Sequence, residues 1–298
     1  MAISTLVAAF AAGCGDDEGT GGAGGGTTTT TGNTTGTSSP TTTTTASTTT
    51  STNSSTSTGM AGMGQVRVAH LSPGTPDVDF CVIPNGGAPI GPVLKGAGDT
   101  DGLAYSEVTD YVDLPEGTYD VRIVAPNAAN CDEALAGLPD VTGVAVADGG
   151  VYTAAATGVL IDPGANDADF AVELYEDDLT SNAAKVRVRF IHTSPDTPNV
   201  DVGVGAGNMF TPVWTNVAFP NIGLVGGEAY VEVDPLMNAT LSARATGTTA
   251  DALVLNGVTL PGGAVVTVFA IGNLDGDPAP LKALACIDGQ NTCLILPP

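Results

Sequence analysis

The chain has 298 residues, and setting aside a low-complexity N-terminal stretch leaves enough for two domains of ordinary size. Eight Lys and Arg against 32 Asp and Glu give a formal net charge of −24, which repels phosphate backbones and argues against nucleic acid as a partner. Forty glycines, 20 prolines and few aromatics suit short strands joined by tight turns better than helices.

The first element is the apolar run from Ile3 to Ala12, followed by Gly13 and Cys14. It is too short for a permanent membrane span, which needs about 20 residues, but it suits the apolar region of an export signal. Residues 1–14 therefore read as a lipoprotein signal segment with a lipobox, in which Cys14 becomes the lipid-bearing first residue of the mature protein. Ala11 stands where lipoboxes usually carry Leu, and no basic residue precedes the run. Gly15 rather than Asp follows the cysteine, which by the sorting rule of some Gram-negative bacteria favours the outer membrane.

Residues 15–64 form the next segment. Between Thr27 and Thr58, Ser or Thr fill 26 of 32 positions, and no charged residue occurs from Gly19 to Val66. Such a tract buries too little apolar surface to offset its ordering entropy and is expected to be a disordered tether. As a flexible coil of about 45 residues it has an end-to-end distance on the order of 40 Å.

The remainder is an internal duplication, with repeats expected at 65–180 and 185–298. Val66-Arg67-Val68-Ala69-His70-Leu71-Ser72-Pro73 aligns without gaps on Val188-Arg189-Phe190-Ile191-His192-Thr193-Ser194-Pro195, and the match runs on to Phe80 and Val202 at a constant offset of 122. Gly149 to Ala154, with Gly158, is expected to match Gly262 to Val268, with Gly272, and Ala171-Val172-Glu173-Leu174 to match Leu281-Lys282-Ala283-Leu284.

Apolar residues alternate with period 2, the mark of strands with one face on a core. Val66, Val68 and His70 share one face. In the next strand Val78, Phe80 and Val82 are expected inward and Asp77, Asp79 and Cys81 outward. Leu114-Pro115-Glu116-Gly117-Thr118-Tyr119 reads as strand, tight turn, strand. About seven such strands per repeat predict an all-β protein of two tandem β-sandwich domains, immunoglobulin-like or transthyretin-like.

Setting Cys14 aside, Cys81, Cys131, Cys286 and Cys293 are an even set suited to an oxidising compartment. Three pairings are open. Joining Cys81 with Cys131 and Cys286 with Cys293 keeps each bridge inside one repeat and is the expected arrangement. No spacing fits a zinc knuckle, so neither a metal nor another cofactor is expected.

The phrase V-R-V-x-H-x-S-P-x-x-P-x-V-D at Val66 to Asp79, repeated as V-R-F-x-H-x-S-P-D-x-P-x-V-D at Val188 to Asp201, resembles the bacterial domain-of-unknown-function 4397 family, in two tandem copies. The resemblance implies an exported, often lipid-anchored β-sandwich protein with no established activity. The first repeat departs from the pattern at Gly74, where the family usually has Asp, and in the inserted loop carrying Cys131.

Three chemistries are conceivable. A hydrolase would use His70 or His192 as base, Ser72 or Ser194 as nucleophile and Asp79 or Asp201 to orient the base. Strand parity places the histidine and the aspartate on opposite faces, so a structural histidine bonded to loop backbone is expected instead. A calcium-stabilised adhesin would use the acidic loops at Asp99 and Asp101, at Asp162, Asp167 and Asp169, and at Asp275 and Asp277, although none completes an EF-hand. Trp214, with Tyr105 as its counterpart, could be a half-exposed recognition platform, because parity sets it opposite Val213, Val217 and Phe219. The expected function is binding, adhesion or surface structure at the cell envelope, not catalysis. The expected partners are the membrane, through the N-terminal lipid, and a protein or glycan ligand.

Overall fold

The computed structural model describes residues 62–297 except 162 and 291. The signal segment, Cys14 and nearly all of the tether lie outside the described residues. The regular structure of the described residues is almost entirely strand. The first half comprises β1 (Met63–His70), β2 (Asp79–Pro84), a one-turn helix α1 (Val93–Gly96), β3 (Val112–Pro115), β4 (Gly117–Val124), β5 (Val141–Val146), β6 (Val151–Thr157) and β7 (Ala171–Glu176). The second comprises β8 (Val186–His192), β9 (Val200–Val204), β10 (Thr211–Val217), β11 (Val231–Val233), β12 (Leu236–Ala245), β13 (Asp251–Leu260), β14 (Val265–Ile271), β15 (Lys282–Ile287) and β16 (Thr292–Leu296).

Each half builds a pair of sheets, in the orders β3-β1-β6-β7 with β2-β4-β5, and β11-β8-β14-β15-β16 with β10-β9-β12-β13. The same ladder recurs in both. β1 runs parallel to β6 and β8 parallel to β14, with Val66 opposite Tyr152 and Val188 opposite Val266. Val78, Phe80 and Ile123 fill the first sandwich, and Val188, Phe190, Val200 and Val258 fill the second.

A third cluster joins the halves. Ala69, Leu71, Ala155 and Tyr175 of the first pack with Ile191, Phe269, Ile271 and Leu284 of the second. The sheets holding β1 and β8 are thus buried on both faces, one inside its own sandwich and the other against the neighbouring half. This explains why β14, Val-Val-Thr-Val-Phe-Ala-Ile, lacks alternation.

Three expectations about register and facing need correction. Thr157 pairs with Ala171 and Ile271 with Lys282, so Ala171 is equivalent to Lys282, one residue beyond the predicted alignment. Asp79 and Cys81 are buried, because the outer face of β2 is covered by the chain inserted after it. The Asp79 carboxylate accepts hydrogen bonds from the Leu94 and Lys95 backbone N–H groups, both at 2.9 Å, and so holds the first turn of α1. Trp214 is only 7% exposed. Register shifts on either side of it, with Asn216 at φ 55°, break the alternation of β10 and turn the indole into the core against Phe190.

The cysteines pair as Cys81 with Cys131 and Cys286 with Cys293. The first bridge ties β2 to the inserted loop, and the second joins directly opposed residues of β15 and β16.

Candidate functional site

The repeated His-x-Ser-Pro phrase forms the same corner twice, where β1 and β8 end. His70 and His192 are fully buried. The Nε2 of His70 donates to the Pro76 carbonyl at 3.1 Å, and that of His192 to the Pro198 carbonyl at 3.2 Å, since a carbonyl can only accept. Burial pushes both imidazoles below their ordinary range, which keeps them neutral. An aromatic edge closes each corner, with Tyr105 6.3 Å from His70 and Phe219 6.2 Å from His192. The counterpart of Tyr105 is therefore Phe219 and not Trp214.

The serines are committed elsewhere. Ser72 donates to the Gly158 carbonyl at 2.6 Å and sits 2.5 Å from the Thr75 hydroxyl, while Ser194 repeats both bonds with Gly272 and Thr197. Gly158 and Gly272 have φ of 74° and 78°, and a Cβ on either would lie within 2.3 Å of a carbonyl oxygen, so only glycine fits. Asp79 is bound to α1, and Asp201 accepts from the Asn216 backbone N–H and the Thr246 hydroxyl, both at 2.8 Å. The serine, histidine and aspartate needed for acyl transfer are not brought together; each bonds to a different part of the backbone or loops.

A second cluster was not anticipated. Arg67 donates from its terminal nitrogen to Asp288 at 2.7 Å and from Nε to Thr153 at 2.8 Å. In return, Arg189 pairs with Asp177 and donates from Nε to Thr267 at 2.8 Å. The Thr153 hydroxyl donates to Asp177 and the Thr267 hydroxyl to Asp288, both at 2.6 Å. The guanidinium of Arg67 lies 4.9 Å from the Tyr111 ring, and that of Arg189 5.1 Å from the Tyr230 ring. Each repeat's arginine thus pairs with the other repeat's aspartate, as two subunits do across a twofold axis. Desolvation is the largest single influence on Arg67 and lowers its pKa, but the charges of Asp288, Asp177 and Tyr111 and the hydrogen bond to Asp288 together raise it. Desolvation pushes the Tyr230 hydroxyl up to about 12.

The signal for this cluster was present in the duplication. Arg67 and Arg189 sit on the strand face opposite the valines. Thr153 with Thr267 and Asp177 with Asp288 recur once the last strand is aligned by its ladder.

The acidic loops are turns stabilised by their own carboxylates. Asp99 accepts from the Asp101 and Gly102 N–H groups, Asp275 from that of Asp277, and Asp167 from that of Gly164 and from the Asn273 amide. Among the described residues no group of three or more His, Cys, Asp or Glu could hold a metal ion. Asp162 lies outside the described residues. No helix among them is long and apolar enough to cross a membrane.

No curated protein matches the chain. Three solved structures show distant likenesses. The Bacillus anthracis TIE protein matches at 10% identity over 71% of this chain, with a TM-score of 0.20, and this chain spans 33% of its length. A fimbrial assembly protein from Parabacteroides distasonis matches at 10% identity over 80% of this chain and all of its own, with a TM-score of 0.23. CBMbc, a family CBM26 module of Eubacterium rectale Amy13K in complex with maltoheptaose, matches at 11% identity over 76% of this chain and 97% of its own, with a TM-score of 0.20. Residues 64–203 match the family described as Domain of unknown function (DUF4397), a span from β1 into β9 that takes in the first half and the opening strands of the second.

Proposed function

We propose that this chain is a cell-envelope protein held to the outer membrane by a lipid on Cys14, carrying its paired sandwiches on a Ser/Thr tether to bind a protein or glycan or to build surface structure. The observation that carries this reading is the pair of disulfides, Cys81 with Cys131 and Cys286 with Cys293. Such bonds form and persist where thiols are not kept reduced, outside the cytoplasm. The excess of acidic residues suits an exposed surface that must stay dispersed. With its serines and histidines engaged in backbone hydrogen bonds, the duplicated corner supports a structural role better than a catalytic one.

Fractionation of cells producing the intact chain tests the anchor. The wild-type protein should pellet with membranes and take up labelled fatty acid, and Cys14→Ser should release it into the soluble fraction. Equal partitioning of the two, with no label on Cys14, would remove the anchor from the account. Protease treatment of whole cells then shows which side of the membrane the sandwiches face.

A further inference from the structure

The duplication leaves one sheet edge closed and its counterpart open. In the second half β16 lies along the outer edge of β15 and is fastened there by the bridge between Cys286 and Cys293. In the first half β7, the equivalent of β15, ends its sheet, and no strand pairs with its outer edge.

The ladder fixes which groups that edge presents. The Asp177 N–H donates to the Val151 carbonyl at 2.7 Å, so Tyr175, Glu173 and Ala171 are the residues bonded to β6, and Val172, Leu174 and Glu176 turn their N–H and C=O groups outward. The Glu176 carbonyl accepts from Arg189 at 2.9 Å, but the outward groups of Val172 and Leu174 bond to nothing among the described residues. Leu174 is 39% exposed.

The other edge strands are blunted. β3 has four residues and β11 three, and β5, β10 and β13 belong to ladders with register shifts. Ile90 covers β2 by exchanging backbone bonds with Val82 at 2.8 and 2.9 Å. In β16 the outward position after Ile295 is Pro297, which has no N–H. β7 alone pairs in unbroken register over six residues with neither Pro nor Gly among them. Its one protection is charge, since Glu173 and Glu176 repel a second copy of the same strand.

The register of β16 shows what such an edge accepts. Leu296, Leu294 and Thr292 stand opposite Ala283, Ala285 and Ile287, the equivalents of Val172, Leu174 and Glu176, while Ile295 stands opposite Leu284, the equivalent of Glu173. Two positions that meet apolar side chains in the second half therefore meet carboxylates in the first. We propose that β7 takes up an extended strand of a partner protein, antiparallel to it, with apolar residues opposite Val172 and Leu174 and Lys or Arg opposite Glu173 and Glu176. The net charge of −24 draws such a segment in and turns acidic ones away. This site rests on the protein-binding arm of the proposed function and is independent of the anchor at Cys14, which fractionation tests separately.

Intact protein titrated with the labelled peptide Gly-Lys-Thr-Leu-Lys-Leu-Gly should give a saturable anisotropy change, at least about tenfold tighter than with Gly-Glu-Thr-Leu-Glu-Leu-Gly. Amide exchange at Val172 and Leu174 should slow on binding. Leu174→Pro removes an N–H that β6 does not use, so the melting temperature should hold while the basic peptide weakens by at least about tenfold. Glu173→Lys should cut the preference for the basic peptide by at least about threefold, whether or not the proline variant folds. Absence of saturable binding, equal affinity for the two peptides, or binding unchanged by Leu174→Pro would overturn the site. A preference unchanged by Glu173→Lys would overturn the pairing with Glu173. A dimer of the free protein that Leu174→Pro dissociates would give the edge to a second copy and overturn the basic partner.

Discussion

His70 and His192 show how a residue type associated with catalysis can serve to hold a corner, although the Nδ1 of His70 is left unpaired. Each imidazole is buried and neutral, donates to a proline carbonyl six residues on, and meets an aromatic edge. Depressed pKa values have a definite consequence. In the unfolded chain the imidazoles protonate as pH falls through about 6.5, whereas in the fold they resist until lower pH. The unfolded state then binds more protons, so stability drops on acidification. Melting temperature should fall between pH 7.5 and 5.5, and His70→Gln, which can still donate to Pro76, should flatten that slope. An identical slope in the variant would assign the acid sensitivity to other groups. Ser194→Ala leaves the Gly272 carbonyl without its hydroxyl donor and should cost about 1–3 kcal/mol, measured by urea unfolding.

At the scale of elements, the sequence makes some strands legible and hides others for a physical reason. Alternation gives the inward face of β1, and cysteine parity leads to the two bridges, but the turn at Pro115, which reads as a hairpin, instead carries the chain from β3 beside β1 to β4 beside β2 in the other sheet. Alternation fails where a bulge intervenes, as at Trp214, and where inserted chain covers a face that should meet solvent, as at Asp79 and Cys81. It also carries no information about which outer faces meet. The apolar run of β14, broken only by the buried Thr267, is a local sign that its sheet is covered twice. Asp79 is the clearest element-scale test. Asp79→Ala removes acceptors from the N–H groups of Phe80, Leu94 and Lys95 at once and should cost about 2–4 kcal/mol. A urea midpoint unchanged from wild type would mean that α1 is held by packing alone.

For the whole molecule, the crossed pairs of Arg67 with Asp288 and Arg189 with Asp177 decide how the halves behave together. Removing one partner of a buried pair leaves an uncompensated charge, so Asp288→Asn should destabilise by about 3–5 kcal/mol. Because the cost falls on Arg67 in the other half, both halves should be affected. Unfolding followed by Trp214 emission, which reports the second half, should coincide with unfolding followed by circular dichroism, which reports both. Separate midpoints would show that the halves unfold independently despite their shared core.

Arg67 and Asp288 are 221 positions apart in the chain, so a polypeptide threaded amino end first delivers the guanidinium long before this counter-charge. Until Asp288 arrives, the guanidinium has only Asp177 of its own half, at 3.7 Å, as a counter-charge. The Arg67–Asp288 bond that ties the halves together thereby becomes available only after every other member of the cluster has emerged.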